Sequence, residues 1–502
     1  MKLSQLFENC PVTYDKSFEN IDIGSVVTSS ERVTAGSLFA AIKGLRHDGY
    51  DSVNEAAHRG AVCILSDRRP AGGVKVPVVL TDDVRKTVAL ALSNFYGRPD
   101  RKMKTAAITG TNGKTTTALI LEHILRRAGY SVGVMGTLGI TLNSEHLLSE
   151  KERAAYSMTT PDPEILYRSL HMMKEKGCDA VVLEASSHAL ELRKLDGLRI
   201  DVGAFTNLTP EHLDFHHDME SYYLAKRRLC EMSDRFIVNI DDPFGKRLWS
   251  EFPSSRGISC VPENAADENA FATAVVYRDS GFNGIEYMYY SKKAIFEIKS
   301  PMWGKNALYN TMCAASIALE LGVDASVISD ALRSFRGVKG RLEEVCSGKG
   351  MARVIIDYAH TPDALEKALA TVKGLMAGRG RLILVFGCGG DRDTEKRSVM
   401  GRIAEKNADY TFVTSDNPRN EDPEKIISMI KEGMGDISRY TCVTDRREAL
   451  CKAIAMSRAG DVVLVCGKGH EEYIIDKRGK RPFPEREIIL NAVREKYPGV
   501  SI

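Results

Sequence analysis

The chain has 502 residues, too many for one hydrophobic core, and its length points to about three domains. Hydrophobic residues make up 43% and charged residues 27%, as in a soluble globular protein, and a net charge of +2 gives no electrostatic case for nucleic acid or membrane as a partner. No run approaches the ~20 apolar residues of a membrane span, Met1 to Cys10 lacks the apolar core of a signal peptide, and the eleven scattered cysteines contain no Cys-x-x-Cys pair. Reduced thiols and a cytoplasmic location are expected, with neither a disulfide framework nor a zinc site.

Three α/β segments follow one another. Residues 1–100 form a small N-terminal α/β domain, with a strand ending in glycine at Ser37–Gly44, a helical pattern over Val53–Arg59 and a strand at Ala61–Leu65. The polar, turn-forming Gly97–Lys102 is expected to be a linker. Residues 101–337 form a central P-loop nucleotide-binding domain, doubly wound around a parallel sheet. Residues 338–502 form a C-terminal Rossmann-like α/β domain with strands at Arg353–Asp357, Arg381–Phe386, Tyr410–Thr414 and Asp461–Cys466. Ligands of open α/β sheets bind beyond the carboxyl ends of the strands, so the polar tails of these strands are the candidate sites.

The central segment opens on the strongest chemical signal. An apolar strand, Thr105–Thr109, leads into Gly110-Thr111-Asn112-Gly113-Lys114-Thr115-Thr116, and a helical pattern follows over Ala118–Leu125. That order makes a phosphate cradle: the glycines admit backbone N–H groups to the phosphates, Lys114 reaches the outer phosphates, and Thr115 offers a hydroxyl to Mg2+. Only two residues separate the loop glycine from Gly113-Lys114, where the usual P-loop has four. Ala180–Glu184 is a buried-type strand that delivers a carboxylate, and Ala204–His216 pairs another strand end with His212 and His216. Thr115, Glu184 and His212 are ligand types suited to Mg2+ beside phosphates. Packing or surface histidines are the plainer alternative for His212 and His216.

Gly110–Thr116, Leu183–His188, Asn207–His216 and Asp357–Pro362 together resemble the Mur ligases, ATP-dependent amide-forming enzymes of peptidoglycan precursor synthesis, over essentially the whole chain. Within that family the similarity is to the members that extend UDP-N-acetylmuramoyl-L-Ala-D-Glu. Ser157–Asp162 resembles their muramoyl-binding segment and Ser415–Asp422 their amino-acid-selecting motif; in the family, Asp416-Asn417-Pro418-Arg419 goes with meso-diaminopimelate. The chemistry is coherent. Meso-diaminopimelate carries a far carboxylate that a guanidinium such as Arg419 grips with two charge-assisted hydrogen bonds, while Asp416, Asn417 and Glu471 suit its ammonium. L-lysine would set an unpaired cation against Arg419.

The resemblance implies further roles. Arg392, Gly467 and Glu471 join the diaminopimelate site; Asn310, Arg341, Asp357 and His360 belong with ATP; Ser30, Thr159, Thr160, Ser186 and Lys194 belong with the UDP-muramoyl substrate. Lys226 matches the lysine that the family carbamylates, which would join Thr115, Glu184 and His212 in holding two Mg2+ ions; read alone it is a solvated helix lysine. Lys114, Glu184, His212, Lys226 and His360 are the implied catalytic residues, and the implied protein is a monomer whose substrates arrive from three domains.

Two positions depart from the family pattern. Ser29-Ser30-Glu31 stands where Asp-Ser-Arg is usual, placing an acid near the expected diphosphate, and Lys194, beside Arg193, stands for an arginine. The alternatives are the same ligase adding L-lysine, another amide ligase of the superfamily (a folylpolyglutamate synthase or the D-Ala-D-Ala-adding enzyme), and a nucleotide-gated scaffold without activity.

Overall fold

The structure, a computed structural model, describes residues 1–44, 47–70, 74–155, 158–261 and 271–498, without the side chains of 154 and 155. Ser157, the first residue of the expected muramoyl segment, lies outside the described residues. The chain divides into two compact units, one of Met1–Val275, Tyr287–Ile298 and Tyr309–Leu332, the other of Val276–Glu286, Lys299–Leu308 and Arg333–Ile502.

The first unit begins with a four-stranded parallel sheet, β1 (Ser25–Val27), β2 (Ser37–Ala40), β3 (Cys63–Ser66) and β4 (Val78–Leu80), in chain order. Each connection crosses over, which keeps neighbouring strands parallel. The helix Val84–Phe95, capped where Asp83 accepts a hydrogen bond from the Lys86 amide at 3.0 Å, then leads to the second sheet. The stretch expected to be a linker is instead built into the fold. Pro99–Lys102 is a 3-10 turn, and Asp100, only 1% exposed, accepts from the Arg199 amide at 2.9 Å. Its glycine, proline and charges read as solvent-exposed, but one of those charges terminates a buried backbone donor.

The second sheet is built on β5 (Lys104–Thr109), β6 (Val132–Gly136), β7 (Gly139–Leu142), β8 (Glu145–His146), β9 (Ala180–Glu184), β10 (Ile200–Phe205), β11 (Ser233–Asn239) and β12 (Arg256–Ser259), continued by β13 (Ala272–Asp279), β14 (Ile285–Ser291) and β15 (Ile295–Ser300). The spatial order is β15-β14-β13-β12-β11-β10-β5-β9-β6-β7-β8. Strands β12, β11, β10, β5, β9 and β6 are mutually parallel, and β7 and β8 return antiparallel at the edge. Central β5 is apolar and buried on both faces, as a parallel strand covered by helices must be. The chain passes from β5 to β6 on one side and then from β9 across to β10 on the other, so a crevice opens beyond the carboxyl end of β5. The register brings three strand ends level there: Ile108 lies opposite Glu184, and Thr109 opposite Phe205.

The second unit holds β16 (Glu343–Cys346), β17 (Arg353–Asp357), β18 (Leu382–Phe386), β19 (Tyr410–Thr414), β20 (Tyr440–Val443) and β21 (Val462–Cys466) in the order β16-β17-β21-β18-β19-β20, parallel except for β16. Alternate residues serve opposite faces. Ile355, Leu384 and Leu464 pack with the helices Pro362–Met376, Glu395–Asn407 and Pro423–Lys431; Ile356, Val385 and Val465 pack with Arg446–Met456 and Glu485–Lys496. A hairpin, β22 (Tyr473–Asp476) and β23 (Gly479–Pro482), stands beside the carboxyl end of this sheet, where Ile475 meets the Asn417–Arg419 loop.

Candidate active site

Strand β5 ends at Thr109, and the loop turns through Gly110 (φ 144°) and Gly113 (φ 87°) into the helix Lys114–Arg127. Both glycines are required by their surroundings as well as by their backbone: a Cβ at Gly110 would lie 1.9 Å from Thr206 Oγ1, and one at Gly113 2.5 Å from Asn310 Oδ1. Asn207 fixes the loop, accepting from the Thr111 amide at 2.9 Å through its carbonyl and from the Asn112 amide at 3.0 Å through Oδ1. The amides of the first helical turn, including those of the buried Thr115 and Thr116, give this end its affinity for anions. Lys114 Nζ folds back on the loop, donating to the carbonyls of Gly110 (2.8 Å) and Thr111 (2.9 Å).

Lys226 is brought to the same place by the helix Met219–Glu231. Far from being solvated, it is 1% exposed, and its Nζ donates to the Gly110 carbonyl at 2.8 Å. Burial, with the Lys114 ammonium adding to it, drives the Lys226 amine well below the usual lysine range and favours the neutral form.

Glu184, 1% exposed at the end of β9, accepts from Thr115 Oγ1 (2.8 Å), the Thr137 amide (2.9 Å) and Thr137 Oγ1 (3.1 Å). Thr137 Oγ1 lies 3.3 Å from Thr159 Oγ1. Thr160 Oγ1 donates to the Glu184 carbonyl at 2.7 Å and lies 3.0 Å from Ser186 Oγ. The expected nucleotide and muramoyl residues thus form one network, through a threonine that sequence reasoning missed. The only signal for Thr137 was its place after the strand-ending Gly136.

Thr115 and Glu184 offer adjacent hard oxygen donors and so fit Mg2+, which takes one or two protein carboxylates and completes its shell with water and phosphate. His212 is held in a different group. It caps the short helix Leu213–His216 with φ 57° and packs edge-on against His188, with centroids 4.8 Å apart. His188 stacks on Phe215 at 4.1 Å and meets His216 at 5.5 Å. Desolvation and the neighbouring cations hold His188 and His216 down at about 4, so both are neutral near pH 7. Among the described residues, no three His, Cys, Asp or Glu side chains gather as a metal cluster.

Lys194 Nζ pairs with Asp162 at 2.7 Å and reaches Met158 Sδ at 3.4 Å, within the Met158–Asp162 segment. Arg193 instead pairs with Asp83 (2.7 Å) and Asp196 (3.1 Å) and is committed elsewhere. Ser30 opens the 3-10 turn Ser30–Arg32. Arg32, the residue after Glu31, pairs with Glu164 at 2.7 Å; Thr28 donates to the same carboxylate through its amide (2.7 Å) and hydroxyl (2.6 Å).

In the second unit the carboxyl ends of β17, β18, β19 and β21 meet. Asn417 Nδ2 donates to Glu471 Oε2 at 2.8 Å, and Asn417 Oδ1 accepts from Lys468 Nζ (3.0 Å) and the Ile475 amide (2.9 Å). Lys468, fully buried, holds both expected ligands and was not singled out from the sequence. Asp416 Oδ2 is buried with no hydrogen-bond partner among the described residues; Arg446 lies 4.0 Å away. A Cβ at Gly467 (φ 114°) would lie 2.5 Å from that oxygen, so the space before it depends on glycine. Arg419 has φ 52° and donates through Nη1 to the Gly390 carbonyl at 2.8 Å, following Pro418 in the turn; Arg392 is exposed. Asp357 is partly exposed, and its two oxygens accept from the backbone amides of Leu342 (2.7 Å) and Ala359 (2.8 Å). Arg341 lies over the Tyr358 ring, 4.6 Å from its centroid, with its buried Nε unpartnered, and His360 is exposed, with Nδ1 2.8 Å from the Tyr358 carbonyl.

A phosphate-type loop at a sheet switch point, followed by an α/β sheet with a second polar cluster at its strand ends, defines a P-loop α/β protein. Residues 22–96 match the Mur ligase family catalytic domain, 108–318 the Mur ligase middle domain, and 340–469 the Mur ligase glutamate ligase domain. A UDP-N-acetylmuramoyl-L-alanyl-D-glutamate–2,6-diaminopimelate ligase of Syntrophomonas wolfei is 38% identical over 99% of this chain and 100% of its own length; one from Aquifex aeolicus is 39% identical over 95% and 94%. A solved structure of an enzyme of that name superimposes with a TM-score of 0.71 at 28% identity, covering 99% of this chain and 100% of that one. The chain belongs to the Mur ligase family.

Proposed function

We propose that this protein joins meso-diaminopimelate to UDP-N-acetylmuramoyl-L-Ala-D-Glu in the cytoplasm, as a monomer, at the expense of ATP. The observation that carries the choice of amino acid is the strand-end cluster of the second unit. A buried, unpartnered Asp416 oxygen and the Asn417–Glu471 pair suit an ammonium, and the Arg419 guanidinium suits a carboxylate. L-lysine would satisfy the first and leave Arg419 facing a cation. The three domains of the reading, 1–100, 101–337 and 338–502, hold the uridine diphosphate, the ATP and the amino acid.

ATP lies with its phosphates on Gly110–Thr116. Lys114 leaves the loop carbonyls to which it donates in this structure and takes phosphate oxygens. Asn310, against Gly113, stands on the nucleotide side; the family resemblance also gives Arg341, Asp357 and His360 to the nucleotide. Thr115 and Glu184 would hold Mg2+, and His212 with a carbamylated Lys226 would hold the second ion that the family resemblance implies; bound there, the ions would supply charge compensation for phosphoryl transfer. The neutral Lys226 amine is the form that adds carbon dioxide. Thr159, Thr160, Ser186, Lys194 and Ser30 orient the UDP-muramoyl substrate so that an oxygen of its terminal carboxylate attacks the γ-phosphorus. The β–γ bridge breaks, ADP leaves, and an acyl phosphate forms. The neutral amine of diaminopimelate then attacks the acyl carbon; the C–O bond to phosphate breaks, one proton leaves the nitrogen, and amide and phosphate result. Positioning and exclusion of water carry much of the catalysis, because an exposed acyl phosphate hydrolyses.

Phosphate release from ATP, Mg2+ and the UDP-muramoyl dipeptide, with meso-diaminopimelate or L-lysine in parallel, tests this reading. Release with diaminopimelate alone is expected. Release with lysine alone would refute the role given to Arg419, and release with neither would refute the reaction.

A further inference from the structure

The loop Gly389–Asp393 and the loop Asn417–Glu421 carry Arg392 and Arg419, yet neither belongs to a strand or helix. An ion pair, buried at Arg397 and partly exposed at Glu421, links them. Arg397, in the first turn of the helix Glu395–Asn407, has a fully buried side chain; its Nη1 and Nη2 each donate to one oxygen of Glu421 at 2.8 Å, a two-pronged pair. The same atoms reach the facing loop. Arg397 Nη2 also donates to the Gly389 carbonyl at 3.2 Å, and Glu421 Oε1 accepts from the Asp391 amide at 2.5 Å. Asp391, at φ 52°, accepts in turn from Asn420 Nδ2 at 2.8 Å. The Gly390 amide donates to the Asn417 carbonyl at 3.0 Å, and Arg419 Nη1 donates to the Gly390 carbonyl at 2.8 Å. The fit leaves no room for adjustment: a Cβ at Gly390 would lie 2.0 Å from the Pro418 carbonyl oxygen.

We propose that Arg397 and Glu421 are positioning residues for the amino-acid site, clamping the two loops so that Arg419 is held ready for the far carboxylate of its substrate. This rests on the reading of Arg419 given above. A pair serving stability alone could close on itself. Here Glu421 also holds the Asp391 amide of the facing loop and Arg397 the Gly389 carbonyl, and those atoms flank Gly390, on which Arg419 rests. Removing one charge would leave the buried Arg397 or its partner unpaired, so the clamp is best loosened with both charges kept. Glu421→Asp and Arg397→Lys keep both charges and lose the two-pronged geometry.

The experiment measures steady-state kinetics and backbone amide exchange on the full-length wild type and both variants. In each variant the KM for diaminopimelate is expected to rise at least tenfold, with kcat within threefold and the KM for ATP unchanged. The diaminopimelate-to-lysine ratio of kcat/KM should fall at least tenfold, and the amides of Gly390 and Asp391 should exchange at least tenfold faster while those of Leu382–Phe386 do not change. Unchanged exchange at Gly390 and Asp391 would overturn the clamp, whatever the substrate of the wild type proves to be. Equal rises in the KM for ATP and for diaminopimelate, or an unchanged selectivity ratio in an active enzyme, would also overturn it. If the wild type turns over a different amino acid while exchange at the loops still rises in the variants, the clamp stands and the assignment of diaminopimelate fails.

Discussion

Gly136→Ala isolates the carboxylate on which the nucleotide end depends. The φ of Gly136 is not positive, so alanine suits its backbone, but the new Cβ would lie 2.1 Å from Glu184 Oε1 and 2.7 Å from its Cδ. Reaching even 3.0 Å from the present 2.1 Å requires the carboxylate oxygen to move by 0.9 Å. Glu184 is 1% exposed and accepts three hydrogen bonds from Thr115 and Thr137, so it cannot move without breaking some of them. Hydrogen bonds to a charged group contribute about 1.5–3 kcal/mol each, so losing two would cost up to about 6 kcal/mol before any re-form. A catalytic group displaced by about 1 Å costs roughly 100-fold in rate, or about 2.7 kcal/mol of barrier. The variant should therefore lower kcat for phosphate release roughly 100-fold. Gly374→Ala is the control: it lies in a helix, its φ is not positive, and a Cβ there meets nothing within 4 Å, so activity should be unchanged. A Gly136→Ala enzyme with kcat within about threefold of wild type, where roughly 100-fold is expected, would refute the claim that the position of Glu184 governs the reaction.

Lys226→Met should abolish turnover without lowering the thermal midpoint at neutral pH, because it removes a buried, desolvated amine. The folded amine titrates below the unfolded one, so the native state binds fewer protons across that interval and gains stability as pH rises; the advantage of Lys226→Met in thermal midpoint should shrink as the unfolded lysine pKa is approached. His216, buried and held at about 4, must be protonated against its surroundings on acidification. Native stability is lost as pH falls from the unfolded value, near 6.5, towards 4, and His216→Phe should flatten that limb of a thermal-midpoint titration. Arg419→Ala should reduce the preference for diaminopimelate over lysine by at least tenfold, read as a ratio of kcat/KM.

The phosphate loop was legible because its signal is local: a strand, two glycines and a helix start fall within fifteen residues, and each part has one physical reason. The parallel sheets followed from apolar runs that end in polar residues. What stayed hidden was set by tertiary contact. Lys226 lies in a polar helical stretch whose pattern gives no hint that one lysine turns onto the Gly110 carbonyl. Thr137 follows a strand with no motif, and its value appears only when β6 and β9 are neighbours. Arg397 sits in the charged run Glu395-Lys396-Arg397, which reads as solvated surface until Glu421 is brought up to it from another loop. The Gly97–Lys102 stretch reads as a linker because composition cannot tell an exposed aspartate from one that terminates a buried amide.

The most direct test of the central claim is a competition in one vessel: enzyme, ATP, Mg2+ and the UDP-muramoyl dipeptide with equal concentrations of meso-diaminopimelate and L-lysine, followed by mass analysis of the nucleotide product. The account predicts a single new amide carrying diaminopimelate, formed in step with ADP. A product carrying lysine, or ADP formed without any amide, would contradict it.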